Sequence, residues 1–80
     1  MGYPDAIVRM AREYISLTDS ENSGNFGGDE ISELEAERHG LHNTLNQYLC
    51  DVWKKREVQS IAEMYNLCKR IIMGSNMGGR

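Results

Sequence analysis

His39 and His42 stand three residues apart, so on a helix their rings share a face, and Glu35 lies one turn before His39. Imidazoles and a carboxylate at that spacing are zinc-binding donor types. A structural zinc site needs four ligands, and a catalytic one three plus water. The only sulfur donors, Cys50 and Cys68, fall in apolar series far along the chain. We therefore expect no metal and no other cofactor. If the two histidines instead lie in an interface, protonation near pH 6 adds charge beside Arg38 and loosens it.

Two further patterns have the outline of a site without its chemistry. The run GNFGG at 24–28 precedes a helical segment, where backbone N–H groups can hold a phosphate. Its spacing matches neither GxGxxG nor the P-loop, no Lys follows, and Asp29 and Glu30 already occupy the positive end of the helix. Cys50 beside Asp51 suggests a nucleophile, but Cys50 is on an apolar flank and no strained turn presents it. No enzymatic activity is expected.

A more serious candidate begins at Glu57. Val58, Ile61, Ala62, Tyr65, Asn66, Leu67 and Ile72 are compatible with a helix-turn-helix, with Lys54, Lys55 and Arg56 on one side and Lys69 and Arg70 on the other facing phosphates. The second helix would be only a few residues long before Gly74. It also offers no Ser, Thr, Asn or Gln for base edges until Ser75. Read as one amphipathic helix, the same residues need no special geometry, so nucleic-acid binding is the alternative reading.

The elements that must carry these groups follow from apolar spacing. After Pro4, suited to a first helical turn, Ile7, Met10, Ala11, Tyr14 and Leu17 recur at three and four and predict a short helix over 4–17. TDSENSGNFGG, 18–28, reads as a flexible Gly/Ser/Asn loop. Ile31, Leu34, Arg38, Leu41, Leu45, Tyr48 and Val52 then follow an unbroken 3-4 spacing, which predicts a long helix over 29–53 with an a/d seam. Arg38 in that seam requires a carboxylate or a route to water. Gly40 is its weak point, at about 1 kcal/mol against Ala. Val58, Ile61, Tyr65, Cys68 and Ile72 give a third helix over 57–73, out of phase with the second, so a turn is expected near Lys54–Glu57. Gly74 and the residues to 80 read as a tail.

The expected architecture is all-α: one domain, a short N-terminal helix plus a long antiparallel helical hairpin, completed as a bundle by oligomerisation. Leu, Ile, Val and Phe make only 16 of 80 residues, near the lower limit for a chain that folds alone. A 25-residue helix of about 37 Å leaves apolar faces that one copy cannot cover. Hence a homo-oligomer is expected, a dimer first, through Leu34, Leu41, Leu45, Tyr48, Val52, Trp53, Ile61, Tyr65, Cys68 and Ile72. Two cysteines do not make a disulfide framework, and neither a membrane span nor a signal peptide is apparent, so a cytoplasmic location is expected. Net charge is −3, but residues 1–53 carry −7 and residues 54–80 carry +4. That excludes a uniformly basic polyanion binder. The expected function is a non-enzymatic helical interaction module of adaptor or inhibitor type, binding itself and another, unidentified protein.

Overall fold

In the computed structural model, which describes the backbone of residues 3–78 and side chains up to Gly74, three helices follow in chain order. They are α1 (Asp5–Ser23), α2 (Gly28–Val52) and α3 (Ile61–Gly78), and there is no strand among the described residues. No helix among those residues is long and apolar enough to cross a membrane.

Helix α1 starts where Pro4 accepts from the N–H groups of Ile7 and Val8 at 3.0 and 3.1 Å. It does not stop at Leu17. The segment 18–23, expected as loop, continues the helix because its polar side chains find partners there. Thr18 Oγ1 donates to the Tyr14 carbonyl at 2.8 Å. Asp19 accepts from the Tyr65 hydroxyl at 2.8 Å, and Glu21 pairs with Arg38 at 2.6 Å. Tertiary bonds thus override weak local propensity. The helix ends at Gly24, in the left-handed region at φ 78°.

Helix α2 begins after Gly27, whose N–H donates to Glu30 Oε1 at 3.1 Å, and runs unbroken through Gly40. At its far end Lys54 takes φ 56°, uncommon for a side-chain-bearing residue, and the N–H of Lys55 reaches back to the Leu49 carbonyl at 3.0 Å. That reversal turns residues 53–60 into a strap rather than a tight hairpin turn. Helix α3 therefore starts at Ile61, not at 57. Ser60 Oγ accepts from the N–H of Glu63 at 3.0 Å, and the Ser60 carbonyl from Met64 at 3.1 Å. Gly74 does not end α3, which continues to Gly78. No proline stops it there, and an interior glycine costs only about 1 kcal/mol. Of the expected tail, Gly79 and Arg80 lie outside the described residues.

The long hairpin is not the arrangement seen. Helix α1 packs against both α2 and α3, whose backbones barely meet. The reason lies in α1 itself: its buried residues Ile7, Val8, Ala11, Tyr14, Leu17 and Thr18 span about 180° at 100° per residue, enough to face two neighbours. Contacts of Glu21 with Arg38, Tyr14 with His42 and Tyr3 with Trp53 set α2 antiparallel to α1. Asp19 with Tyr65 is consistent with the same sense for α3, so α2 and α3 run parallel, joined by the returning strap. The core joins Ile7, Val8, Ala11 and Tyr14 to Leu45 and Leu49 and to Met64, Leu67, Cys68 and Ile71. The whole measures 40 × 27 × 18 Å, its long axis close to the length of α2.

Candidate functional site

Helix α2 carries two adjacent rows of side chains, and the division between them is the main feature of the surface. The inward row is Arg38, His42, Leu45, Asn46 and Leu49, all buried. The second row is Leu34, Leu41, Tyr48 and Val52, which at 100° per residue falls within about 40° on the flank beside Leu45. Leu34, Leu41 and Tyr48 are half-buried and Val52 is 59% exposed. The 3-4 seam thus straddles the boundary. Leu45, expected at an interface, lies fully inside one copy, as does Cys68. Burial pushes the Cys68 thiol up to about 12, making it an inert packing group.

The other residues expected at an interface are distributed as follows. Trp53 is half-buried, its Nε1 donates to the Tyr48 hydroxyl at 3.0 Å, and its ring lies 4.7 Å from that of Tyr3. Tyr65 holds Asp19, whose hydrogen bond, aided by burial, raises the phenol above its ordinary range. Ile72 packs on the core, and Ile61 is 44% exposed. Leu41 and Tyr48 likewise pack on the core while half-buried, so of the expected interface Leu34, Val52 and Ile61 are the apolar residues that lie off it.

Three of the five residues of the inward row are polar. Arg38, His42 and Asn46, at four-residue intervals, tie α2 to its neighbours: Arg38 to α1, His42 to α1 and the strap, Asn46 to the strap. The guanidinium of Arg38 stays charged: burial opposes the charge, but Glu21 and then Tyr14 outweigh it, and its pKa is raised. His42 Nε2 lies 2.7 Å from the Val58 carbonyl, which can only accept, so Nε2 carries the hydrogen. Nδ1 lies 3.0 Å from the Tyr14 hydroxyl, which ties the ring to α1 as well as to the strap. Burial raises the Tyr14 phenol, with Arg38 opposing, so the hydroxyl keeps its proton. Asn46 clamps Val58 at both backbone groups, Nδ2 to its carbonyl at 2.8 Å and Oδ1 from its N–H at 2.9 Å. No buried side-chain N or O among the described residues lacks a partner.

The zinc-like trio is dispersed. His42 is buried in this network while His39 and Glu35 are exposed, and among the described residues no three His, Cys, Asp or Glu side chains converge on a metal position. Of the two histidines, His42 is buried against the strap of its own chain and His39 is exposed.

The five cations of the nucleic-acid reading divide too. Lys55 and Arg56 from the strap and Arg70 from α3 line one open concavity of about 420 Å³ with Val58, Glu63, Asn66 and Leu67. Lys54 occupies the turn after α2, and the Lys69 ammonium sits 5.0 Å from the centre of the Tyr65 ring. A helix-turn-helix is absent, because α3 runs straight through Asn66 and Leu67, where the turn would have to fall.

Sequence reasoning missed the strap clamp. Its signal is the placement of Arg38, His42 and Asn46 every four residues, a polar line on a face otherwise holding Leu45 and Leu49. No protein-family model matches the chain, and no curated protein or solved structure matches it.

Proposed function

We propose that the chain is a non-enzymatic helical module for protein–protein interaction that associates with itself and presents helical surface to a protein partner. One observation carries this reading. Leu34, Leu41, Tyr48 and Val52 leave apolar surface along one flank of α2 beyond what the core uses, although Leu41 and Tyr48 also pack on that core. The polar groups with catalytic potential, His42 and Tyr14, are engaged in holding the strap, which supports a structural role for them.

The test is the molar mass by light scattering of the wild type and of Val52→Asp. The wild type is expected above the monomer mass of 9.1 kDa, and Val52→Asp at that mass with its helix content retained, because Val52 is 59% exposed and off the core. A monomeric wild type at all concentrations overturns the reading.

A second reading, nucleic-acid binding, has one observation in its favour: Lys55, Arg56 and Arg70 converge from separate elements, and none of them forms an ion pair among the described residues. A salt-sensitive rise in mass with a short mixed-sequence DNA duplex, lost in Arg56→Glu with Arg70→Glu, favours it over the first.

A further inference from the structure

The concavity between the strap and α3 gathers positive charge from two distant parts of the sequence. Lys55 and Arg56 reach it from the strap and Arg70 from α3, with the buried Leu67 and the half-buried Val58 as its apolar wall. Its volume of about 420 Å³ falls within the range of ligand pockets, about 300–1,000 Å³.

Both sides of this concavity are held in place by the fold. The strap is pinned before and after Arg56, by the Lys55 N–H on the Leu49 carbonyl at 3.0 Å and by Asn46 on both backbone groups of Val58. Arg70 stands on α3 between Leu67 and Ile71, both buried. The three cations are thus brought together by backbone fixed independently of them, although like charges gain nothing from one another. The ion pair among the described residues joins Arg38 to Glu21, so none of the three has a carboxylate partner there.

Charge and donor number narrow the ligand. Three cations against one carboxylate, Glu63, leave the lining at +2. A carboxylate ligand brings one charge and two oxygens, which a single guanidinium satisfies. A phosphate monoester brings about −1.5 to −2 near pH 7 and three acceptor oxygens, enough for two guanidinium forks and an ammonium. Glu63 on the same lining repels a second phosphate beside the first, which disfavours a nucleic-acid backbone. We infer that this concavity binds a single phosphate monoester group, its oxygens held by Arg56 and Arg70 with Lys55 beside them. The inference is independent of the self-association proposed above, and it assigns the concavity to one phosphate where the nucleic-acid reading assigns it to a row of them.

Phenyl phosphate is the probe, titrated into isotope-labelled full-length protein in about 0.1 M NaCl and followed by amide chemical shifts. The expected result is a saturable one-to-one curve, with shifts centred on residues 55–58 and 66–70. Arg56→Gln and Arg70→Gln should each weaken binding by about tenfold with helix content unchanged, and Arg12→Gln, outside the concavity, should leave it as it is. Glu63→Gln should tighten it, a gain that a damaged fold cannot produce. Phenyl sulfate, of the same shape with a single charge, should bind more weakly. Glycerol phosphate and a phosphoserine peptide then separate the two sources of such a group, a free ester or a modified protein, and saturable binding of either supports the site. Shifts that do not saturate, that extend equally to Arg9 and Arg12, or that survive both arginine substitutions overturn the inference. A DNA duplex that binds here without competition from phenyl phosphate overturns it too, and leaves the nucleic-acid reading standing.

Discussion

Replacing Asn46 with Ala removes the only side chain that meets both backbone groups of Val58, and the structure fixes what should follow. Two hydrogen bonds disappear, those of 2.8 and 2.9 Å. The Val58 carbonyl keeps His42 Nε2, but the Val58 N–H loses its partner in a half-buried position. A typical bond contributes about 0.5–1.5 kcal/mol net, and an orphaned buried donor costs about 1–3 kcal/mol. The expected loss is about 2–3 kcal/mol, a large part of the total stability of a domain this size, which is on the order of 4–12 kcal/mol. At about 4–8 °C per kcal/mol, the melting temperature should fall by roughly 8–24 °C at fixed protein concentration. Far-UV circular dichroism with Trp53 fluorescence follows the transition, and amide exchange at Val58 reports the strap directly. The double variant with His42→Ala should lose more than the two single losses combined, because only then is the Val58 carbonyl also orphaned. A loss below about 0.5 kcal/mol with unchanged Val58 exchange would refute the assignment of the strap's hold to this side chain.

Two other outcomes follow from single positions. Gly40 is exposed within α2 and a Cβ there meets nothing within 4 Å, so Gly40→Ala should raise stability by about 1 kcal/mol in chemical denaturation; a decrease would mean that α2 does not run through this position as a regular helix. Cys68 has its pKa raised by burial from 9.0 to about 12, so the stability it confers is complete below pH 9 and is lost as pH rises towards 12. The slope approaches about 1.4 kcal/mol per pH unit in that window, and alkaline melts of Cys68→Ala should be flatter than those of the wild type.

The parts of the fold set by local pattern were readable from sequence, and those set by a choice of neighbour were not. Helix α2 announces itself because its apolar period persists through a glycine and its first turn carries Asp29 and Glu30. The extension of α1 over 18–23 is invisible locally, since Thr18, Asp19 and Glu21 favour helix only once Tyr65 and Arg38 arrive from distant sequence. The start of α3 was legible and overlooked: Ser60 followed by Glu63 is a capping-box spacing, a better boundary than the charge of Glu57. Periodicity also cannot say which helix lies against which face. The width of the α1 stripe, once Val8 is counted, was the clue that α1 sits in the middle. On α2 the seam gave the right helix but mixed two rows, because Leu45 and Leu41 are both apolar and only about 40° apart.

The returning strap has an electrical consequence as well as a topological one. With α2 and α3 parallel and α1 opposed to both, two helix N-termini gather at the end where α1 finishes, and the backbone dipoles do not cancel. That end carries Asp29 and Glu30 in the first turn of α2 and Glu63 in that of α3, while Lys54, Lys55 and Arg56 follow the C-terminus of α2. Side-chain charge therefore opposes the peptide dipoles at both poles, each favourable placement contributing about 0.3–1 kcal/mol where it falls within a terminal turn. The uneven charge along the sequence is in this sense a counterweight to a three-helix arrangement with two members pointing the same way. A hairpin of α2 and α3, with their dipoles opposed, would have had no need of it.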